Sequence, residues 1–314
     1  MEWLYPDMFT GWKRRIALLI TLALVVIGAL SIRSSILPKL SPTGRSFDYL
    51  VVILMEGNSG GVGGPYMSQL ASQYSSLTNY YGIDNPSLPN YLALLGGSTF
   101  GCSGYDGLPD SNACTRSAWV SQNLVDRLES AGLTWKAYME SMTTDCQRTG
   151  ATRDGYYARH DPFVYFNDIV SDPARCARIV PVTPGASLLI SDLQSTSTAS
   201  NFMWLSPNGY DDMHDSPTAV GDSYLSKLVP QILSSYIFTT QRAALFITFD
   251  NPYSLPFGLV YAAWAGPVVK THYQSSASYN HYSFLKTLEV AWGLSYLSSN
   301  DNTASPMTEF FTTS

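Results

Sequence analysis

The sequence predicts an α/β fold, a mainly parallel central sheet with helices on both faces. Three observations predict it. Strand-like and helix-like segments alternate through residues 47–314, the pattern of repeated βαβ units. The first segment, Tyr49–Met55 (YLVVILM), is apolar without a break, as in a strand buried on both faces. No internal linker interrupts residues 47–314, so a single domain is expected there.

Ahead of that domain, Ile16–Ile32 (IALLITLALVVIGALSI) carries no charge over 17 residues and follows Lys13, Arg14 and Arg15. This reads as an N-terminal transmembrane helix within residues 1–33, with its basic end cytoplasmic and the rest of the chain exported. Ala29 and Ser31 would suit a cleavage site, but the run is long for a cleaved leader and favours an anchor. Residues 34–46, rich in Ser, Pro, Gly and Arg, read as a linker.

Within the domain, Pro65–Tyr74 and Leu88–Leu95 are expected helices. Asn123–Ala131 is amphipathic and runs into Gly132, which suits a helix stop. Strands are expected at Thr134–Met139, Asn201–Leu205, Ala243–Phe249 and Leu259–Ala265. Ser223–Tyr236 is helical in pattern, with Pro230 as a kink. Ser283–Trp292 is a helix ended by Gly293.

Composition narrows the classes. The 314 residues are 45% hydrophobic and only 13% charged, which excludes a disordered chain. A single long apolar run excludes a polytopic membrane protein. The formal charge of −6 argues against nucleic-acid binding. Beyond residue 32 the balance is −7, because the leading segment sets Lys13, Arg14 and Arg15 against Glu2 and Asp7. The four cysteines, Cys102, Cys114, Cys146 and Cys176, all fall in the exported part, where two disulfides are expected. Three pairings are open; Cys102 with Cys114 closes a short loop, and Cys146 with Cys176 a longer one.

Polar residues stand directly after several strands. Glu56 follows the first. Asn208, Asp211, Asp212 and His214 follow Asn201–Leu205, and Asp250 and Asn251 follow Ala243–Phe249. Sites in open α/β sheets form outside the carboxyl ends of the strands, so these acids can converge on one cation. Carboxylate, hydroxyl and imidazole ligands suit a hard or borderline divalent metal. Three of the four histidines, His160, His214 and His281, sit in acid- or Asn-flanked turns; His272 reads as surface. In Asn85–Gly97 (NPSLPNYLALLGG), Ser87 stands at a helix start, where free N–H groups meet anions. Ser87 there is either a nucleophile or a helix cap, and Asn90 could offer its amide to an oxyanion.

Seven segments in order resemble the phosphoesterase family of acid phosphatases and non-haemolytic phospholipases C, within the alkaline-phosphatase-like superfamily. They are Val52–Glu56, Asn85–Gly97, Asn123–Glu140, Arg159–Phe166 (RHDPFVYF), Ser206–Asp215 (SPNGYDDMHD), Phe246–Asp250 and Tyr279–Glu289. The resemblance implies hydrolysis of phosphate monoesters or diesters, soluble or lipid, through a phosphoserine on Ser87. It implies one or two divalent metals, with Glu56, Ser87, Asp250 and Asn251 at one site. Asp212, His214 and His281 would form the second site or a phosphate pocket, and His160 would face the phosphate or leaving group.

Two positions depart from the family pattern. Gly57 follows Glu56 where the family has Asn, with Asn58 shifted by one, and Asn251 follows Asp250 where an acid is usual. An uncharged ligand weakens a hard-cation site. A catalytically degraded, surface-anchored binding protein is therefore a second reading. Gly57–Gly61 (GNSGG) also fits the G-x-S-x-G nucleophile elbow, with Ser59, Asp250 and His281 in the order of a carboxylesterase triad. That elbow normally follows several strands, whereas this one follows the first.

Overall fold

The structure, a computed structural model, describes residues 46–56, 64–251 and 258–312. The apolar stretch Ile16–Ile32, its basic flank, the linker up to residue 45 and the Gly57–Gly61 motif lie outside the described residues. Among the described residues no helix is long and apolar enough to cross a membrane.

The strands are β1 (Tyr49–Met55), β2 (Ser75–Leu77), β3 (Tyr80–Tyr81), β4 (Trp135–Glu140), β5 (Ile179–Val182), β6 (Phe202–Ser206), β7 (Ala243–Phe249), β8 (Ala262–Ala265), β9 (Tyr273–Ser275) and β10 (Tyr279–Asn280). Eight form one sheet in the order β5-β4-β6-β1-β7-β8-β2-β9. All its pairings are parallel except those of β8, which runs antiparallel to β7 and β2. β1 lies at the centre and every one of its residues is buried, as its unbroken apolar run requires. β3 and β10 pair separately.

The long, strongly patterned elements fall where the sequence places them. Helices cover Pro65–Gln73, Ser87–Gly96, Leu124–Ser130 and His281–Trp292. Asn123 and Asn280 cap two of them through their side chains, and Gly293 ends the last at φ +67°. Two expectations shift. The Ser223–Tyr236 helix is really Thr218–Leu233, starting after Pro217, and Ser235 begins a separate short helix at Tyr236–Thr240. Leu259–Ala265 shrinks to β8, and Leu259 makes only an isolated bridge to Tyr81. β2, β5 and β9 are unannounced, because three or four residues hold too little periodicity; β5 also carries Pro181, tolerated because it lies at the sheet edge.

Two disulfides close, Cys102–Cys114 and Cys146–Cys176, and no described cysteine is free.

Candidate active site

Parallel strands end on a shared edge, and register decides which residues meet there. β1 and β7 run level, with Met55 opposite Phe249, so Glu56 and Asp250 leave the sheet side by side. The Asp250 N–H donates to the Met55 carbonyl at 3.1 Å, extending the ladder by one step. The Glu56 N–H turns instead to the Asp212 carbonyl at 2.8 Å, which clips the loop after β6 onto the end of β1. In that loop Met213 adopts φ +80°, a left-handed conformation costing an L-residue on the order of 1 kcal/mol. Its side chain fits because Gly221 has no Cβ; one there would lie 2.4 Å from Met213 Cγ. Gly82 gives similar room to Asp250, whose carbonyl would be 2.9 Å from a Cβ at residue 82.

Ser87 is the first residue of its helix, and its hydroxyl donates to Glu56 Oε2 at 3.0 Å. Around it the polar groups are buried and short of partners. Glu56 Oε1, His160 Nε2, Asp212 Oδ2, both Asp250 carboxylate oxygens and Asn251 Nδ2 make no hydrogen bond. His160 lies between two acids, its Nε2 3.4 Å from Glu56 Oε1 and its Nδ1 3.5 Å from Asp212 Oδ2. These are close contacts rather than formed hydrogen bonds. Its ring stacks at 6° on that of Tyr91.

The electrostatics follow from this crowding. Burial, then the charges of Asp250 and Asp212, push Glu56 well above the usual carboxylate range. Burial drives Asp212 the same way, against the His214 N–H that its Oδ1 accepts at 2.7 Å. Asp250 is pushed up to about 7, again mainly by burial. His160 is held well below its ordinary value by burial, then by Arg159 and His214, and so stays neutral. Three buried acids and a neutral imidazole with unpaired atoms facing one another form a ligand set short of positive charge. Glu56, His160 and His214 each offer a ligand atom within 4.8 Å of the others. The donors fit a divalent cation of hard or borderline character.

His214 is partly open. Its Nδ1 lies 2.7 Å from Asp215 Oδ1 and its Nε2 3.1 Å from an Arg159 guanidinium nitrogen, an arrangement that places the proton on Nδ1. Two expected roles do not survive the geometry. Asn90 has no amide hydrogen left for an oxyanion: its Nδ2 donates to the Asp84 and Pro86 carbonyls, and its Oδ1 accepts from the Ile83 and Asp84 N–H groups. It braces the turn that presents Ser87. His281 is not placed to ligate, since its Nε2–H donates to the Asp250 main-chain carbonyl at 2.5 Å and its Nδ1 faces the Tyr80 hydroxyl at 3.0 Å. Burial holds its pKa down to about 4. The same two bonds remove His281 from a carboxylesterase triad, because it meets the backbone of Asp250 and not its carboxylate; Ser59 lies outside the described residues. His160 is walled in at 3% exposure, better placed to ligate than to meet a leaving group. His272 is exposed and bonds to the Ser72 carbonyl.

Sequence reasoning left Arg159, Tyr91 and Asp215 without roles. Arg159 could have been noticed as the cation beside His160; nothing local singles out Tyr91 or Asp215.

Comparison with known proteins bears on the family and the fold. The chain is 30% identical over 238 residues to a phosphate-repressible acid phosphatase of Penicillium chrysogenum, covering 73% of this chain and 54% of that one. It is 27% identical over 277 residues to a probable acid phosphatase of Kluyveromyces lactis, covering 83% and 62%. It thus spans little more than half the length of these fungal relatives. It is 29% identical over 266 residues to a phosphatidylinositol-3-phosphatase of Mycobacterium tuberculosis, covering 79% and 78%. A solved alkaline phosphatase superfamily protein from Vibrio parahaemolyticus superposes with a TM-score of 0.55 at 13% identity, covering 84% of this chain and 71% of that one, which shows an alkaline-phosphatase-like fold. The model of the Phosphoesterase family matches residues 63–253, well over half of the sequence, and the chain belongs to that family.

Proposed function

We propose that this chain is a metal-dependent phosphoric ester hydrolase in which Ser87 attacks phosphorus. The observation that supports it best is the set of unpaired buried oxygens on Glu56, Asp212 and Asp250 around the Ser87 hydroxyl. Glu56, Asp250, Asp212, His160 and His214 would hold the cation, with Asn251 as an uncharged neighbour. A bound divalent cation would neutralise phosphate charge and lower the serine pKa.

The residues of the chain do the rest. Glu56 orients the Ser87 hydroxyl and is the acceptor its proton already faces. Attack of Ser87 Oγ breaks the bond from phosphorus to the ester oxygen, leaving a phosphoserine and an alcohol. Water then cleaves the phosphoserine and regenerates Ser87. The leaving oxygen takes its proton from water, because the one ring hydrogen of His214 is turned to Asp215. We further infer that Ile16–Ile32 anchors the domain outside the membrane, since both disulfides fit an oxidising compartment.

The test is hydrolysis of p-nitrophenyl phosphate from acid to alkaline pH, with divalent metals or chelator, beside Ser87→Ala and with p-nitrophenyl acetate as control. Metal-dependent phosphate release lost in Ser87→Ala supports the proposal. A folded protein that releases phosphate from no ester sinks it, and the degraded binding protein then stands.

A further inference from the structure

Arg159 adjoins the cluster of buried acids without belonging to it. Its guanidinium lies 4.3 Å from the Tyr157 ring centroid, and one terminal nitrogen reaches His214 Nε2. Its Nε comes to 3.0 Å from Asp106 Oδ2. That contact is ionic only, because the Nε–H has no aligned acceptor. The other oxygen of the same carboxylate, Oδ1, accepts the main-chain N–H of Leu88 at 3.0 Å. Leu88 follows Ser87 in the first turn of a ten-residue helix, where N–H groups have no partner within the helix.

One carboxylate therefore spans the amide next to the nucleophile and the guanidinium that holds His214. Asp106 comes from the loop closed by Cys102–Cys114, and both its side chain and that of Arg159 are partly open to solvent. A cavity of about 240 Å³ opens beside them, lined by Asp106, Gly107, Tyr157 and Arg159 among others. The Leu88 N–H belongs to the residue after Ser87, and with Arg159 it makes a pair of donors suited to an anionic oxygen. The planar guanidinium suits phosphoryl oxygens at least as well as it suits a carboxylate.

We propose that Asp106 is a built-in competitor for phosphate, a loop carboxylate that occupies the seat made by the Leu88 N–H and Arg159 and yields it to the phosphoryl group of the substrate. This rests on the phosphoesterase reading above. The carboxylate keeps Arg159 oriented in the free protein, weakens the binding of every phosphate ligand and so limits how long product phosphate stays. The side chain needs only to rotate away; no covalent step is involved.

The test uses the full chain, with and without added divalent metal, as wild type, Asp106→Asn and Asp106→Ala. Inorganic phosphate binding is measured by calorimetry, KM and kcat with p-nitrophenyl phosphate, and thermal unfolding in parallel. The Asn variant keeps an oxygen for the Leu88 N–H and removes only the charge, so folding is not at stake. Both variants should bind phosphate roughly tenfold tighter, with KM lowered in proportion. Unchanged or weaker phosphate affinity in an active protein would show Asp106 to be a helix cap alone, overturning this inference and leaving the phosphoesterase reading intact. A wild type that neither hydrolyses esters nor binds phosphate would overturn both.

Discussion

Two strand ends of this protein bury carboxylates equally deeply and treat them differently. At the end of β4, Glu140 is 1% exposed, and Glu56 at the end of β1 is 2% exposed. Glu140 is fully served. Its Oε1 accepts from the Tyr224 hydroxyl at 2.7 Å and the Gly185 N–H at 2.9 Å, and its Oε2 accepts from the Asn208 N–H at 3.2 Å. Even so, burial pushes its pKa up to about 8. Glu56, Asp212 and Asp250 instead turn unpaired oxygens toward one another. Burial of an acid is therefore no mark of a site in itself. What sets this cluster apart is several acids buried together without donors, since unsatisfied buried charge costs several kcal/mol that a cation offsets.

The comparison can be broken most sharply at Ser87. Ser87→Ala should lower phosphate ester turnover by at least about a thousandfold, with unfolding temperature little changed. Turnover that persists would move the chemistry away from the unpaired cluster. The next effect is on metal affinity. Glu56→Gln should weaken divalent-metal binding by roughly 100-fold or more, measured by chelator competition, whereas Glu140→Gln should change it by less than about tenfold. Equal losses in the two variants would erase the distinction between them.

Stability against pH separates the two regions by sign and by relief. Glu56, Asp212, Asp250 and Glu140 each have a raised folded pKa, so each contributes stability fully present below the unfolded value near 4 and lost as pH rises through the folded one. Metal-free protein should therefore lose stability as pH rises from about 4 through about 7, where Asp250 ionises, with Glu56 and Asp212 acting in the same direction. Divalent metal should abolish that loss, because it binds the ionised form. The loss from Glu140, which continues through about 8, should persist with metal present and disappear in Glu140→Gln. Melting curves at pH 5, 7 and 9 with metal or chelator would expose a single shared response, which this comparison forbids. The smallest effect is structural: Glu140→Gln should cost about 1–2 kcal/mol in denaturant unfolding, since one amide hydrogen then meets the Asn208 N–H.

Much of the frame was legible beforehand for a simple reason. A strand buried on both faces announces itself by an unbroken apolar run, and the first polar residue after it must sit on the sheet edge. This is how Glu56 and Asp250 were found, along with the loop carrying Asp212 and His214. The short strands β2, β5 and β9 gave no such signal. Asp106 was invisible because its partners, Leu88 and Arg159, lie across a loop whose course no local pattern dictates.

The sequence by itself determined which chemical groups are on offer near the carboxyl edge of the sheet: a serine at a helix start, acids after three strands, and three histidines in polar turns. Only the tertiary structure decided which of them remain available. Asn90 and His281 occur in motifs that name them as site residues, yet every hydrogen-bonding atom of their side chains is taken by the backbone or by Tyr80. Residue type sets what a side chain can donate or accept. Whether that capacity is spent depends on partners that reach it through space, 201 residues away in the contact between His281 and Tyr80, and such distances are closed only by folding.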